Sequence, residues 1–220
     1  MSRVSKGMWA VLWGLSTFLS LGVAIYSYRY LMPHPPMMSD AIAANLMRKP
    51  WLAIHAGLAA TALIVGPFQF LTRLRTRAPR VHRTIGKIYV AACLMGAPAG
   101  LILATHSTAG PIAQWGFGVL AVTWFAVTGY AFWLATQHRF AEHRRWMIRS
   151  FAMTFAAVTL RLYLPIPPMF LHMSFVDGYR AISWFCWTSN LLAAEIFLNW
   201  TLLRGVFNRP ADRVLSAGSQ

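Results

Sequence analysis

Four polar side chains lie inside long apolar segments of this sequence, where a membrane-spanning helix would bury them. They are His55, Gln69, Arg161 and Glu195. A charged group at the centre of a membrane helix costs about 2.5 to 3.5 kcal/mol on insertion scales, so a polar residue kept there is a candidate for function. These residues indicate where the sequence predicts chemistry.

The first predicted site joins histidines to an arginine. His55 lies near the start of its apolar segment, and Arg161 lies far along a segment that crosses in the opposite direction, so both fall in the same half of the membrane. His106 and His172 follow the ends of segments in that half. Because neutral imidazoles on facing helices are the usual axial ligands of haem b, His55 is predicted to bind haem iron. Its partner would be His106 or His172, and Arg161 would hold a propionate.

A structural interpretation of the same residues stays open. His55 would then hydrogen-bond a neighbouring helix, and Arg161 would extend its head to the membrane surface or pair with a carboxylate such as Glu195. Depth disfavours the last pairing, because Glu195 lies nearer the opposite ends of the spans.

A second polar group lies at the arginine-rich ends of the segments. Its members are Gln69, His82, Arg83, His143, Arg149 and Glu195. His82 and His143 each precede an apolar segment and are expected to face one another. His138 and His143 are five residues apart, not the three or four that align side chains on one helical face, so no metal spacing is present.

Several functions fit this second group. One is a basic collar that contacts anionic lipid headgroups. Others are a site for a phosphate-bearing or quinone-like ligand, or for a second haem. Glu195, with Asn190 on the same segment, is also the one candidate for a proton relay.

The elements that must position these residues are membrane helices. Of 220 residues, 57% are apolar and 11% are charged, whereas soluble domains have about a quarter charged residues. Runs of about 20 apolar residues can cross the hydrocarbon core. The sequence therefore predicts an all-α polytopic bundle of six transmembrane helices in one domain. The predicted spans are about 8–28, 51–71, 86–105, 112–136, 146–171 and 181–203, followed by a polar, mobile tail at 208–220.

Helix breakers and charges refine this topology. Gly66-Pro67 and the prolines between 165 and 168 predict interruptions of the second and fifth spans. Fifteen Lys and Arg residues fall on one side of the spans and four on the other, with Arg161 between them. The positive-inside rule then places both termini in the cytoplasm. It also explains the net charge of +15 without nucleic acid, which we exclude as a partner.

Three stretches carry a family pattern. They are the second span with Gly66-Pro67-Phe68-Gln69-Phe70, the junction His82-Arg83-Thr84-Ile85-Gly86, and His143-Arg144-Arg145-Trp146-Met147-Ile148-Arg149-Ser150 leading to Arg161. They resemble the bacterial family of predicted membrane proteins called domain of unknown function 2306, from about the second span to the fifth or sixth. The resemblance implies a topology in a bacterial cytoplasmic (inner) membrane, and it implies no reaction. The matching positions are His55, Gln69, His82, Arg83, Gly86, His143, Trp146, Arg149 and Arg161.

The architecture is also similar to di-haem cytochromes of the ascorbate-reducible b type, in which four helices hold two haems between histidine pairs. This chain departs from that pattern because His82 and His143 are predicted at the interface and not within the spans. An outer haem between His55 and either His106 or His172 remains compatible with the sequence.

The sequence favours a small membrane protein that binds haem or another redox cofactor. Such a protein would pass electrons between a membrane donor, such as a quinone, and an acceptor at the outer face. The alternative is a non-enzymatic transporter or accessory subunit that binds an anionic small molecule or lipid around Arg161 and the basic collar. A third possibility is recruitment of a partner protein. Glycine-rich phosphate loops and paired-cysteine motifs are absent from the sequence, so no reaction is predicted.

Overall fold

The computed structural model describes residues 3–32 and 49–200, and in these residues the secondary structure consists of helices joined by short turns, without strands. Numbered in chain order, its α-helices are α1 (Arg3–Ser27), α2 (Lys49–Val65), α3 (Thr72–Arg77), α4 (Pro79–Thr105), α5 (Pro111–Thr136), α6 (Phe140–Thr154), α7 (Ala156–Tyr163), α8 (Ile166–Phe170) and α9 (Phe175–Leu198). Two short 3-10 helices, Tyr28–Leu31 and Pro67–Phe70, extend α1 and follow α2.

Six helical stretches in the described residues are long and apolar enough to cross a membrane. They are Ala10–Leu31, Pro50–Phe70, Pro79–Thr105, Pro111–Thr136, Phe140–Phe170 and Phe175–Leu198, called spans 1 to 6 below. This confirms the predicted class, an all-α bundle with six transmembrane helices. The predicted tail at 208–220 and the last residues of the sixth predicted span lie outside the described residues.

Three helices begin earlier than the hydropathy of the sequence predicts. Span 3 starts at Pro79 and not near 86, span 5 at Phe140 and not near 146, and span 6 at Phe175 and not near 181. Proline at the first helical position favours a helix start, which explains the early beginning of α4. As a result, His82 and His143 lie within the first turns of α4 and α6, and not before those helices.

The interruptions occur where glycine and proline predict them, and also at one further place. The α-helix of span 2 ends at Val65 and gives way to the 3-10 turn at Pro67. Within span 5, helix α7 ends at Tyr163, just before the proline-rich helix α8. A further break separates α6 from α7 at Phe155, where no proline or glycine stands.

The helices close into a bundle with small residues inside. Helix α2 packs between α1 and α4, α4 packs on α5, α5 on α6, and α9 on α5, α6 and α7, while α1 contacts α7. Ala62 and Ala131 are fully buried, whereas Phe18 and Trp115 are 73% and 70% exposed. Small residues let membrane helices approach closely, and long apolar side chains suit lipid. The bundle therefore presents an apolar surface to a bilayer.

Candidate functional site

A cavity of about 910 Å³ lies within the bundle. All six spans contribute to its wall. The lining reaches one end of the bundle, around residues 28–30, 104–109 and 175–176, which we call the cavity end. The opposite end, with residues 71–83 and 137–149, is called the basic end. The volume falls in the range of about 300 to 1,000 Å³ that is typical of small-molecule sites. The cavity is large enough for a ligand of cofactor size.

His55 is held against the wall of this cavity by span 3. Its Nδ1 atom lies 2.9 Å from the carbonyl oxygen of Gly96, and its ring meets the Trp124 ring edge to face, with centroids 6.5 Å apart. A Cβ atom on Gly100 would lie 2.8 Å from Nδ1, so the ring fits only because that position is glycine. Since a carbonyl can only accept, Nδ1 carries the proton, and Nε2 of the neutral ring keeps the lone pair.

Arg161 lies in the same cavity wall, on α7. Its guanidinium donates to the Ala157 carbonyl at 2.8 Å and to the hydroxyl of Ser27 at 2.9 Å. Both partners are neutral, and the bond to Ser27 anchors the side chain to span 1. Across residues 3–32 and 49–200, the salt bridges formed by acidic residues go to other arginines, so no carboxylate offsets the charge of Arg161.

The rest of the polar lining is also basic or neutral. Arg29 lies over the ring of Tyr26, 3.8 Å from its centroid, and donates to the hydroxyl of Tyr30 at 2.9 Å. His106 follows α4, with Nδ1 2.9 Å from the Ile102 carbonyl. Within the described part of the chain, neither Asp nor Glu lines the cavity. The cavity end therefore favours an anionic group.

Three of the four residues of the first predicted group come together here. His55, His106 and Arg161 line one cavity. His172 does not belong to its lining: the residue is exposed and has a positive φ of 50°, just before α9. Among the described residues, no three His, Cys, Asp or Glu side chains gather as a metal site would need. A haem with two histidine ligands needs only a pair.

At the basic end, Arg149 and Glu195 form an ion pair between spans 5 and 6. The guanidinium makes two hydrogen bonds to the carboxylate, at 2.5 and 3.0 Å. It also lies 4.7 Å from the ring centroid of Trp146. Asn199 donates to the same carboxylate at 3.1 Å and accepts from Arg145 at 3.1 Å. Glu195 thus pairs with Arg149 and not with Arg161, in agreement with its predicted depth.

The other members of the second group lie where α2, α4 and α6 meet. Gln69 packs against Gly86 of α4: a Cβ atom added to Gly86 would lie 3.1 Å from Oε1 of Gln69. His82 is close enough to His143 for their charges to interact, and Nδ1 of His143 lies 2.7 Å from the Ala131 carbonyl. Arg83 is exposed.

Sequence reasoning missed a buried hydroxyl network below the cavity. The Tyr89 hydroxyl lies 2.9 Å from Ser150 and 2.8 Å from Thr154, and Ser150 lies 2.7 Å from Thr128. Thr154 also accepts from the indole of Trp124 at 3.0 Å. Thr154 donates its proton to the Ser150 carbonyl, so its oxygen accepts from Tyr89. It follows that Thr128 donates to Ser150, Ser150 to Tyr89 and Tyr89 to Thr154. Hydroxyls four residues apart, as in Ser150 and Thr154, were the only sequence signal.

A second missed feature is the clamp at the break in span 5. Asn190 of α9 donates to the carbonyl of Ala152, before the break, at 3.1 Å. Its carbonyl oxygen accepts from Thr159, after the break, at 2.9 Å. Phe155 keeps right-handed helical dihedrals (φ −68°, ψ −12°), so this break is a local interruption of the helix. Interruptions at membrane depth are tolerated where other groups satisfy the backbone or where they line a cavity. The side chains of Thr154 and Ala156 on either side of Phe155 line the cavity.

Comparison with known proteins gives a family but no relative of known activity. The family described as "Predicted membrane protein (DUF2306)" matches residues 52–198, which include spans 3 to 6 and most of span 2. No curated protein and no solved structure matches the chain. Since the match covers well over half of the sequence, the chain belongs to this family of predicted membrane proteins.

Proposed function

We propose that this protein binds an amphipathic anion inside the membrane, with the apolar body of the ligand in the cavity and its acidic group on Arg161. The observation that carries the proposal is a largely apolar cavity whose wall holds two arginines and two histidines but, in the described residues, no carboxylate. A protein of this kind is a carrier, an accessory subunit or a cofactor-binding protein.

The cost of the arginine supports a ligand. A central Arg costs about 2.5 to 3.5 kcal/mol on insertion scales, and two neutral hydrogen-bond acceptors recover only part of the lost hydration. Charge-assisted pairs with carboxylate or phosphate are about twice as strong as neutral hydrogen bonds. An acidic ligand would therefore stabilise the site and be selected by it.

The orientation of His55 favours haem b as one specific ligand. In metal sites, the imidazole nitrogen that is not bound to metal usually donates to a carbonyl or carboxylate, as Nδ1 of His55 does to Gly96. Nε2 of His55 would then hold the iron, His106 of the same cavity wall would be the second histidine, and Arg161 would pair with a propionate. Haem would supply one-electron chemistry, with a quinone as a fitting redox partner.

The type of membrane and the orientation of the protein in it are part of the same proposal. We place the protein in a bacterial cytoplasmic membrane with both termini in the cytoplasm, since the arginine-rich loops would then face inward. The arginines of the basic end would contact anionic lipid headgroups there. The alternative ligand is an anionic lipid or small molecule bound by a transporter or accessory subunit; the break in span 5 beside the cavity favours it, because transporters bind substrates at broken helices.

The visible spectrum of the detergent-purified protein tests the haem proposal, and mass spectrometry of co-purified ligands tests the broader anion proposal. With haem, a Soret band shifts on reduction with dithionite and disappears in His55→Ala but not in the exposed-histidine control His138→Ala. A colourless, folded preparation from haem-sufficient cells would refute haem. Co-purified anions identified by mass spectrometry, and lost in Arg161→Gln, would then support the broader proposal, whereas identical ligand content in Arg161→Gln would overturn it.

A further inference from the structure

Two buried polar atoms at the basic end have no hydrogen-bond partner among the described residues. They are Nε2 of Gln69 and Nδ1 of His82. The amide nitrogen can only donate, and the imidazole nitrogen donates in the tautomer that places a hydrogen on it. Buried polar groups in native proteins are almost always hydrogen-bonded, so each exception needs an explanation such as a bound water or ion.

The two side chains lie on one face of α4. Gln69 is held by the 3-10 turn Pro67–Phe70, whose first carbonyl accepts from the indole of Trp13 at 3.0 Å. The amide of Gln69 contacts Gly86, and His82 precedes Gly86 by one helical turn. Residues four apart lie on the same helical face, about 6 Å apart. The amide of Gln69 and the ring of His82 therefore lie beside each other against this face of α4.

The surroundings add positive charge to this pair. The side chain of Arg75 and that of His143 lie close enough to His82 to interact with its charge. The described carboxylates at this end are engaged elsewhere, Glu142 with Arg139 and Glu195 with Arg149. Donors and cations thus meet here with no acidic side chain of the described chain to receive them.

We propose that Gln69 and His82 form the floor of a phosphate-binding site at the basic end, with Arg75 at its rim. This site is separate from the cavity and does not depend on what the cavity binds. The phosphate oxygens would accept from Nε2 of Gln69 and Nδ1 of His82, while Arg75 would offset the charge. The phosphate belongs either to the headgroup of an anionic phospholipid or to a soluble phosphate, and both present the same oxygens.

The test uses the full-length protein with two probes. In nanodiscs of equal parts phosphatidylcholine and phosphatidylglycerol, native mass spectrometry measures the phosphatidylglycerol that the protein retains. In neutral detergent, phosphorus NMR measures the broadening of the inorganic phosphate signal. The variants are Gln69→Leu and His82→Ala, and the matched control is Arg144→Gln, which removes an exposed charge at the same end.

We expect Gln69→Leu and His82→Ala to weaken binding of one probe by about tenfold or more, a loss of the size expected for charge-assisted bonds, while Arg144→Gln stays near wild type. Loss of phosphatidylglycerol alone assigns a lipid headgroup, and loss of inorganic phosphate assigns a soluble source. Equal losses in all three variants would overturn the proposal in favour of a diffuse basic surface. Absence of binding by the wild type would overturn it in favour of a buried water. Because Leu matches the size of Gln, Gln69→Leu should unfold at or above the wild-type temperature.

Discussion

The ring of His55 occupies the space that a side chain on Gly100 would fill. The two residues face each other across the contact between α2 and α4, and Gly96 of α4 accepts the Nδ1 proton of the same ring. The position of this histidine is therefore set by the backbone of span 3, which supplies both a hydrogen-bond acceptor and an unobstructed surface.

Gly100→Ala should displace His55 and reduce ligand binding in the cavity. The new Cβ would lie 2.8 Å from Nδ1, so the ring must rotate or the helices must separate. We expect a loss of about 1 to 3 kcal/mol in stability, typical of overpacking. Thermal unfolding in detergent, together with ligand content, measures both effects.

The control for this substitution is Gly118→Ala on α5. Its new Cβ would meet only Leu101, at 3.8 Å, which is ordinary van der Waals contact. Both substitutions gain the same intrinsic helix propensity from Ala. Equal unfolding temperatures and ligand content for the two variants would show that His55 does not depend on Gly100.

Tyr89→Phe should destabilise the fold more than any cavity substitution that keeps packing intact. The change removes a hydroxyl that bonds both Ser150 and Thr154, and it leaves a buried hydroxyl of Ser150 without its acceptor. We expect a cost of about 1 to 3 kcal/mol. The comparison is Tyr163→Phe, whose hydroxyl makes one longer contact of 3.3 Å to Ser189 and should cost less. Thermal midpoints of the two variants decide the matter.

A double-mutant cycle should find a larger coupling for Arg149 and Glu195 than for the exposed pair Arg139 and Glu142. The Arg149 side chain is 18% exposed and its partner 40%, whereas the second pair is 46% and 45% exposed. Water screens exposed pairs, which contribute about 0.2 to 1 kcal/mol. We expect about 1 kcal/mol or more for the first pair and a clearly smaller coupling for the second. Similar couplings would mean that the contact between spans 5 and 6 does not depend on charge.

Hydropathy was sufficient to predict the six spans, because the cost of burying polar groups in lipid dominates local preferences. Depth counting also placed His55 and Arg161 on one level, and it separated Arg161 from Glu195. Counting residues from the span ends could not decide whether His106 or His172 shares a site with His55. His172 is exposed outside the cavity lining and has a positive φ after the proline-rich α8, a tertiary outcome that residue spacing does not encode.

The break in span 5 at Phe155 could not be predicted from the sequence either. Helix interruptions usually occur at proline or glycine, yet here Asn190 of a different helix bonds the backbone next to the break. In the same way, Tyr89 is an ordinary aromatic residue by pattern, and its importance comes from hydroxyls on two other spans. Polar contacts between distant segments are the part of this fold that a single sequence did not reveal.

The cavity owes its existence to side-chain size. Eight alanines and one glycine are among its lining residues, and several of these alanines, such as Ala56, Ala97 and Ala156, are buried. If those positions carried leucine, the same six helices in the same arrangement would enclose a filled core. The volume available to a ligand can therefore be adjusted one methyl group at a time, without altering a single charged residue or moving a helix.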